Sequence, residues 1–276
     1  MYSAQHLSDL FLAPDAHLAL IWLPALGVPA RKYQRFAEAL ASQGISSLLH
    51  EWRGTGAHGA RASHREDWGY RELLKTDIPH SLAILRKAHP DLPVVFAGHS
   101  IGGQFAALAA ALDGGAAGVV PVASGVPDWR LFPSPLKWVI AGFGVALPPV
   151  THTVGHYPGE WFRFAGREAG QLMRDWSGTV RSGHYNGLKG LPSDLNARMA
   201  ALDVPVLGLR FERDKLVPAA SLHALMNALG GQRKEILSFD AEALGAPANH
   251  FAWMRQPERV AEAISAWWAK GERASS

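Results

Sequence analysis

The 276-residue chain predicts an α/β fold, a mostly parallel sheet covered by helices on both faces. Apolar runs alternate with amphipathic stretches through most of the chain, and glycine or proline punctuates nearly every boundary between them. Hydrophobic residues make up 48% of the chain, so one large domain can bury roughly three quarters of the surface exposed by its unfolded form.

The elements follow in order. "HLALIWLPA" (17–25) reads as a buried strand, and "RKYQRFAEALASQG" (31–44) as an amphipathic helix stopped by Gly44. "ISSLLHEWRGTG" is a second strand running into a glycine turn. "LLKTDIPHSLAILRKAHP" predicts a helix capped at Thr76 or Asp77, with Pro79 in its first turn and basic residues in its last. "LPVVFAGHS" is a strand of β-branched and apolar residues, and "IGGQFAALAAALDGG" the helix behind it. "GVVPVAS" (118–124) is a further strand, in which Pro121 is unfavourable for ladder pairing.

From about Pro127 to Asp194 the alternation stops and the chain becomes rich in Trp, Phe, Gly, Pro and His. It resumes at "VPVLGLRFERD" (204–214), followed by a helix "AASLHALMNALGG", a strand "KEILSFD", a loop "AEALGAPANH" and a helix "QPERVAEAISAWWAK". The predicted organisation is a core of 1–127 and 196–276 interrupted by an insertion at 128–195. The tail "KGERASS" reads as disordered.

Composition excludes several classes. Without cysteine there is no disulfide framework and no thiolate chemistry. Charged residues are 18% of the chain, the net charge is +3, and no long basic run supports nucleic-acid binding. "MYSAQHLSDLF" lacks the basic n-region of a secretion signal, and "LALIWLPALGV" is short and broken by Pro24. The expectation is a soluble, cytoplasmic protein with no membrane insertion.

The chemistry centres on Gly98-His99-Ser100-Ile101-Gly102 at a strand-to-helix junction. This G-x-S-x-G pattern suits a serine on a strained turn that lifts its Oγ above the sheet. Chance alone supplies such a pentapeptide in about one chain in five of this composition, so its place between a buried strand and a small-residue helix carries the weight.

A serine hydroxyl needs a base and a carboxylate to orient that base. His250, in the loop before the last helix, is the leading base among 13 histidines; His99, His152, His156 and His184 compete. For the acid, Asp214 sits in a turn just past an apolar strand, where open parallel sheets face their ligands. Glu212, Asp203, Asp240 and Glu242 remain alternatives.

Over nearly its full length apart from the insertion, the chain resembles the α/β-hydrolase superfamily, on "GHSIGG", "FERDKLVP" and "NHFAW" in that order. It looks most like small bacterial serine hydrolases of the esterase and lipase type. The resemblance implies an α/β-hydrolase fold: an eight-stranded, mostly parallel sheet with an inserted helical cap. It implies Ser100 as nucleophile, Asp214 as acid and His250 as base.

The expected activity is cleavage of a carboxylic ester through an acyl-enzyme, with a small acyl ester or thioester as substrate. A thioesterase or acyltransferase would use the same three residues, and a noncatalytic protein on this scaffold is the remaining alternative. No cofactor is expected, because His152, His156 and His184 match no metal-binding spacing. The sequence does not distinguish a monomer from a homodimer.

The oxyanion donors are expected at the N–H of Ile101, after the nucleophile, and in the loop "LPALGVPARKY". There Pro24-Ala25 stands where many relatives carry His-Gly. Leu26 takes the donor position, with Ala25 one residue away as the alternative, and Gly27 keeps the turn open. "EWRGTG" (51–56) is similar to the superfamily's acidic-x-Arg-Gly-x-Gly turn, with Arg53 expected to pair locally. Trp52, Trp129 and Trp161 are expected at the substrate pocket, the last two as part of an aromatic wall with Trp138, Trp176, Phe132, Phe143, Phe162 and Phe164. Arg163, Arg167, Arg174 and Arg181 could meet an anionic end of the substrate.

Overall fold

The computed structural model describes residues 8–56, 58–162 and 164–275. Residues 1–7, Ala57, Arg163 and Ser276, and the side chains of Phe162 and of 272–275, lie outside the described residues.

A short strand β1 (Asp9–Phe11) leads to β2 (Leu18–Leu23), helix α1 (Gln34–Ser42) and β3 (Ile45–Leu49). Next come α2 (Tyr70–Glu72), α3 (Ile78–Ala88), β4 (Val94–His99), α4 (Ile101–Asp113) and β5 (Gly118–Val122). The middle of the chain holds α5 (Leu136–Val154), β6 (His156–Pro158), α6 (Gly159–Phe162), β7 (Arg167–Ala169), α7 (Gly170–Ser182) and α8 (Leu195–Ala200). It closes with β8 (Val206–Phe211), α9 (Ala219–Ala228), β9 (Lys234–Phe239), α10 (Ala241–Leu244) and α11 (Glu258–Ser275).

Among the described residues the main sheet has seven strands, in the order β1-β3-β2-β4-β5-β8-β9, one fewer than the resemblance implied. Only β1 runs antiparallel; the other pairings are parallel, with Ile21 opposite Phe96 and Phe96 opposite Val119. β2 is buried along its whole length, and its side chains split by parity. Leu18, Leu20 and Trp22 join the core under α1 and α11, whereas Ala19, Ile21 and Leu23 join the core under α3 and α4. A strand buried on both faces favours apolar residues at every position, which is why β2 reads as an unbroken run.

β2 has β3 on one side and β4 on the other, so the strand order reverses there and leaves a crevice at the carboxyl ends of β2 and β4. The loop 24–29 and Ser100 both lie at this end.

Three local expectations are corrected. The helix expected to start at Thr76 or Asp77 starts at Tyr70, with the Gly69 N–H donating to Glu72 Oε2 (2.9 Å). A wider π-helical turn, Leu73–Asp77, precedes Pro79, which lacks the N–H that a regular helix would use there. Asp77 is therefore no cap, and Arg53 pairs with it through two 2.6 Å bonds, not locally within its own turn. Pro121 is held in the sheet interior because the pairs to β8 fall on Val119 and Val122, on either side of it. The tail expected to be disordered continues α11 as far as Ser275.

Between β5 and β8, α5 packs along α7, and β6 and β7 form a small antiparallel pair with α6 between them. Leu147, Tyr157 and Met173 make a separate small core here, and Leu26 from the loop after β2 packs against it. No helix among the described residues is long and apolar enough to cross a membrane.

Candidate active site

Ser100 holds φ +57° and ψ −123°, a conformation that side chains other than glycine rarely adopt. Such a residue costs on the order of 1–3 kcal/mol and persists only where its surroundings enforce it. Here the enforcement is steric. A Cβ on Gly102 would lie 2.0 Å from the Leu23 carbonyl oxygen, and one on Gly98 would lie 2.3 Å from the Gly102 carbonyl carbon. The two glycines let the start of α4 press against both β4 and the end of β2, with the Ser100 N–H anchored on the Val122 carbonyl (2.9 Å).

Asp214 and His250 come together across 36 residues. Asp214 follows β8; its Oδ1 accepts from the N–H groups of Leu216 (2.8 Å) and Val217 (3.1 Å), which leaves Oδ2 to accept from His250 Nδ1 at 2.8 Å. The loop bearing His250 is pinned by the Arg213 N–H to the Ala248 carbonyl and by Asn249 Oδ1, which accepts from Phe251 and Ala252 N–H. Both side chains of the pair are almost fully buried.

The His250 ring lies 4.7 Å from the ring of His99, the residue before Ser100, so the pair and the strained serine share one end of the sheet. The competing acids Glu212, Asp203, Asp240 and Glu242 are exposed; Asp240 caps α10 through the Ala243 N–H. His152 and His184 are also exposed, and His156 sits on β6. His99 is completely buried, and burial with the neighbouring His250 holds its pKa well below the usual histidine value, although the His250 backbone partly opposes this.

Both polar groups of the Pro24–Ala25 peptide are occupied. The Ala25 N–H donates to Tyr33 Oη (3.0 Å), and the Pro24 carbonyl accepts from Trp52 Nε1 (3.0 Å). Of the two candidate N–H groups in this loop, Ala25's is thereby engaged, whereas Leu26's has no intramolecular partner among the described residues. Gly27 follows at φ +70°, and a Cβ there would meet the Ala165 backbone at 2.9 Å, so the segment between β6 and β7 closes tightly over this loop.

Beside Leu26 and Ile101 is a small enclosed space walled by Trp52, Trp68, Phe105 and Leu172, with Glu168 and Arg53 also at its edge. Its volume of about 10 Å³ is room for roughly one water. Glu168 is 5% exposed, and burial pushes its carboxyl up to about 7, with the Gly166 backbone pulling the other way.

Trp52 borders this space, and Trp129 and Trp161 do not. Trp129 packs against Trp138 with the rings tilted and 5.5 Å apart, and Trp161 is 72% exposed. Arg174 is paired with Asp67, Arg167 donates to the Ala62 carbonyl, and Arg181 donates to the Gly144 carbonyl. Tyr33, Trp68, Phe105 and Glu168 escaped the sequence reading because no motif marks them; only the fold brings them to the ends of β2 and β4.

A serine raised on a left-handed strand-to-helix turn, in a parallel sheet that also presents a buried Asp–His pair in the order Ser, Asp, His, defines the α/β-hydrolase class of enzymes. The family model described as serine aminopeptidase, S33, matches residues 15–242, and the chain belongs to that family.

No curated protein matches the chain in sequence. Among solved structures it is similar to a monoacylglycerol lipase of Paleococcus ferrophilus, at 18% identity and a TM-score of 0.64 over 95% of this chain and 98% of that one. It is similar to a soluble variant of monoglyceride lipase from Saccharomyces cerevisiae, at 13% identity and a TM-score of 0.66 over 95% and 91%. It also resembles Est1E from Butyrivibrio proteoclasticus, solved with ferulic acid bound, at 15% identity and a TM-score of 0.61 over 95% and 94%.

Proposed function

We propose that this chain is a serine hydrolase of small carboxylic esters, with Ser100, Asp214 and His250 as its triad. The observation that carries the reading is the 2.8 Å Asp214–His250 bond, buried and set against the ring that precedes the strained Ser100. The lipase and esterase neighbours support an ester in preference to other acyl compounds.

In this mechanism Asp214 holds the His250 Nδ1–H and leaves Nε2 free to take the proton of Ser100 as Oγ attacks the ester carbonyl. The carbonyl oxygen becomes an oxyanion, which accepts from the N–H groups of Ile101 and Leu26; donors of this kind contribute about 3–4 kcal/mol each. Collapse expels the alcohol, which takes the proton from His250 and leaves Ser100 acylated. His250 then deprotonates a water that attacks the acyl-enzyme, and Ser100 recovers its proton.

Residues 128–195 act as a cap. The space at Ile101 is too small for an acyl chain in this conformation, so the cap or its lining side chains move when substrate enters. Tightness at Gly27 against Ala165 makes that contact the place where the cap meets the oxyanion loop.

A fluorophosphonate probe should label wild-type protein and leave Ser100→Ala unlabelled, and p-nitrophenyl esters of increasing chain length should be cleaved only by wild type. Labelling elsewhere, or turnover by Ser100→Ala close to wild type, would overturn the assignment. The family description favours a second reading, release of an N-terminal amino acid from an amide. Aminoacyl p-nitroanilides cleaved faster than any ester or thioester would establish it.

A further inference from the structure

The loop after β2 carries no His-Gly, yet in the proposed reaction it must hold one N–H rigidly toward the oxyanion. A backbone donor is useful only if its peptide plane cannot rotate: the Ala25–Leu26 plane is held at its carbonyl, which accepts from the Val28 N–H (3.1 Å), and the peptide before it sets where that plane starts. That preceding peptide, Pro24–Ala25, is gripped on both edges. The Trp52 indole donates to its carbonyl and the Tyr33 hydroxyl accepts from its N–H, each at 3.0 Å. Pro24 contributes a further constraint by fixing its own φ.

Tyr33 does more than accept. It is completely buried, and burial holds its phenol far above the ordinary tyrosine range, so the hydroxyl keeps its proton and must donate it. Its other partner is His99 Nδ1, at 2.8 Å.

Counting donors assigns the direction. If Nδ1 carried the hydrogen, the Tyr33 hydroxyl would accept from both its partners and its own hydrogen would be an orphaned donor in the interior. If Tyr33 donates to Nδ1, its hydrogen is satisfied and the hydrogen of the neutral ring sits on Nε2, which makes no hydrogen bond among the described residues in either arrangement, so the Tyr33 hydrogen decides the count. The continuous path is Ala25 N–H to Tyr33 Oη, and Tyr33 O–H to His99 Nδ1, with the His99 ring then packed against that of His250. One hydroxyl thus touches the oxyanion loop and the residue before the nucleophile, which itself supports the base.

We propose that Tyr33 is a positioning residue for the oxyanion hole: with Trp52 it clamps the Pro24–Ala25 peptide so that the Leu26 N–H faces the developing oxyanion, and through His99 it sets this loop against the base. The inference rests on the serine-hydrolase reading above. It assigns to a tyrosine outside every recognised motif the work of fixing a loop that lacks the usual dipeptide.

The test is Tyr33→Phe, which keeps the ring packed against Trp22 and Trp253 and removes only the hydroxyl. Active sites are counted by the burst of p-nitrophenol, so partial unfolding does not masquerade as slow chemistry. The expected result is a kcat per active site lowered about 10- to 100-fold, short of the full loss of a donor, with KM within about twofold.

A thionoester substrate supplies the discriminating readout, because sulfur accepts hydrogen bonds weakly and draws little from the oxyanion hole. The Tyr33→Phe defect should shrink to within about threefold on the thionoester if the hydroxyl acts through that hole. Equal defects on ester and thionoester, or an unchanged kcat on the ester, would overturn the proposal. Should Tyr33→Phe fail to fold, Trp52→Phe removes the opposite grip; it must show the same ester-selective loss, and its absence is equally fatal. Ser100→Ala, run alongside, separates the two claims: if it retains turnover the serine-hydrolase reading fails, whereas if it is dead and Tyr33→Phe is normal only the clamp fails.

Discussion

The two halves of this molecule treat tryptophan in opposite ways. In the sheet and its covering helices, Trp22, Trp253 and Trp267 are all but completely buried, and Trp253 packs against Trp22, Phe36 and Phe211 beneath His99. In the segment between β5 and β8, Trp138 and Trp161 are 60% and 72% exposed. The sheet half fixes geometry, because its buried tryptophans are held from several sides. The other half is a thin layer around a three-residue core, so much of its apolar surface has nothing beneath or above it. Ser100, Asp214 and His250, the groups proposed to react, all sit on the first half.

That contrast can be broken at several points. The largest effect belongs to the reacting atoms: Ser100→Ala should lower kcat by about 10⁵-fold or more with the melting temperature nearly unchanged, read by ester hydrolysis and calorimetry. Removing a strained serine Oγ leaves the elbow's glycines and backbone bonds in place. Asp214→Asn should cost about 10⁴-fold in kcat, because the amide leaves His250 in the wrong tautomer while preserving shape. A variant with near-normal rate would mean that another acid orients His250.

The packing contrast is sharpened next. Trp253→Ala should destabilise the protein by about 3–5 kcal/mol in urea titrations. Trp161→Ala should stay within about 0.5 kcal/mol. Similar losses at both sites would show that the exposed tryptophan is packed in solution.

Glu168 gives the pH-dependent member of the series. Its carboxyl keeps a proton up to about pH 7 in the fold, against an ordinary value of 4.5 when unfolded. Between those values the native state binds more protons than the unfolded state, so stability falls as pH rises through the window, and the full cost stands above it. Glu168→Gln, which cannot ionise, should therefore gain on wild type by about 3 kcal/mol more at pH 8 than at pH 4, measured by urea melts. Tyr157 lies opposite this group across β6 and β7, and Arg53, which shares the small space with it, is already committed to Asp77. A pH-independent difference would mean that Glu168 ionises freely.

Parts of this were legible in the chain for definite reasons. β2 and β4 announced themselves because a doubly covered strand is predominantly apolar, and the Ser100 turn because two close backbone approaches demand glycine at 98 and 102. The helix start at Tyr70 was hidden, since Asp77 followed by Pro79 imitates an N-terminus while Asp77 is spent on Arg53. Trp129 and Trp161 were assigned by residue type, and hydrophobicity carries no direction. The space beside Ile101 is instead walled by Trp68 and Phe105, which no pattern distinguishes from ordinary core.

The sequence by itself determined the α/β class, the strained serine and the chain order of serine, acid and histidine, because these depend on local conformation and on spacing along the chain. Only the tertiary structure decided that Asp214 reaches His250, that Ala25's N–H is consumed by Tyr33 and Leu26's is not, and that Glu168 is buried beside them. Those are facts about which distant groups share a hydrogen bond or exclude water from one another. No local pattern encodes them, since the partners meet only when the strand order reverses between β3 and β4 and brings the two loops to one end of the sheet.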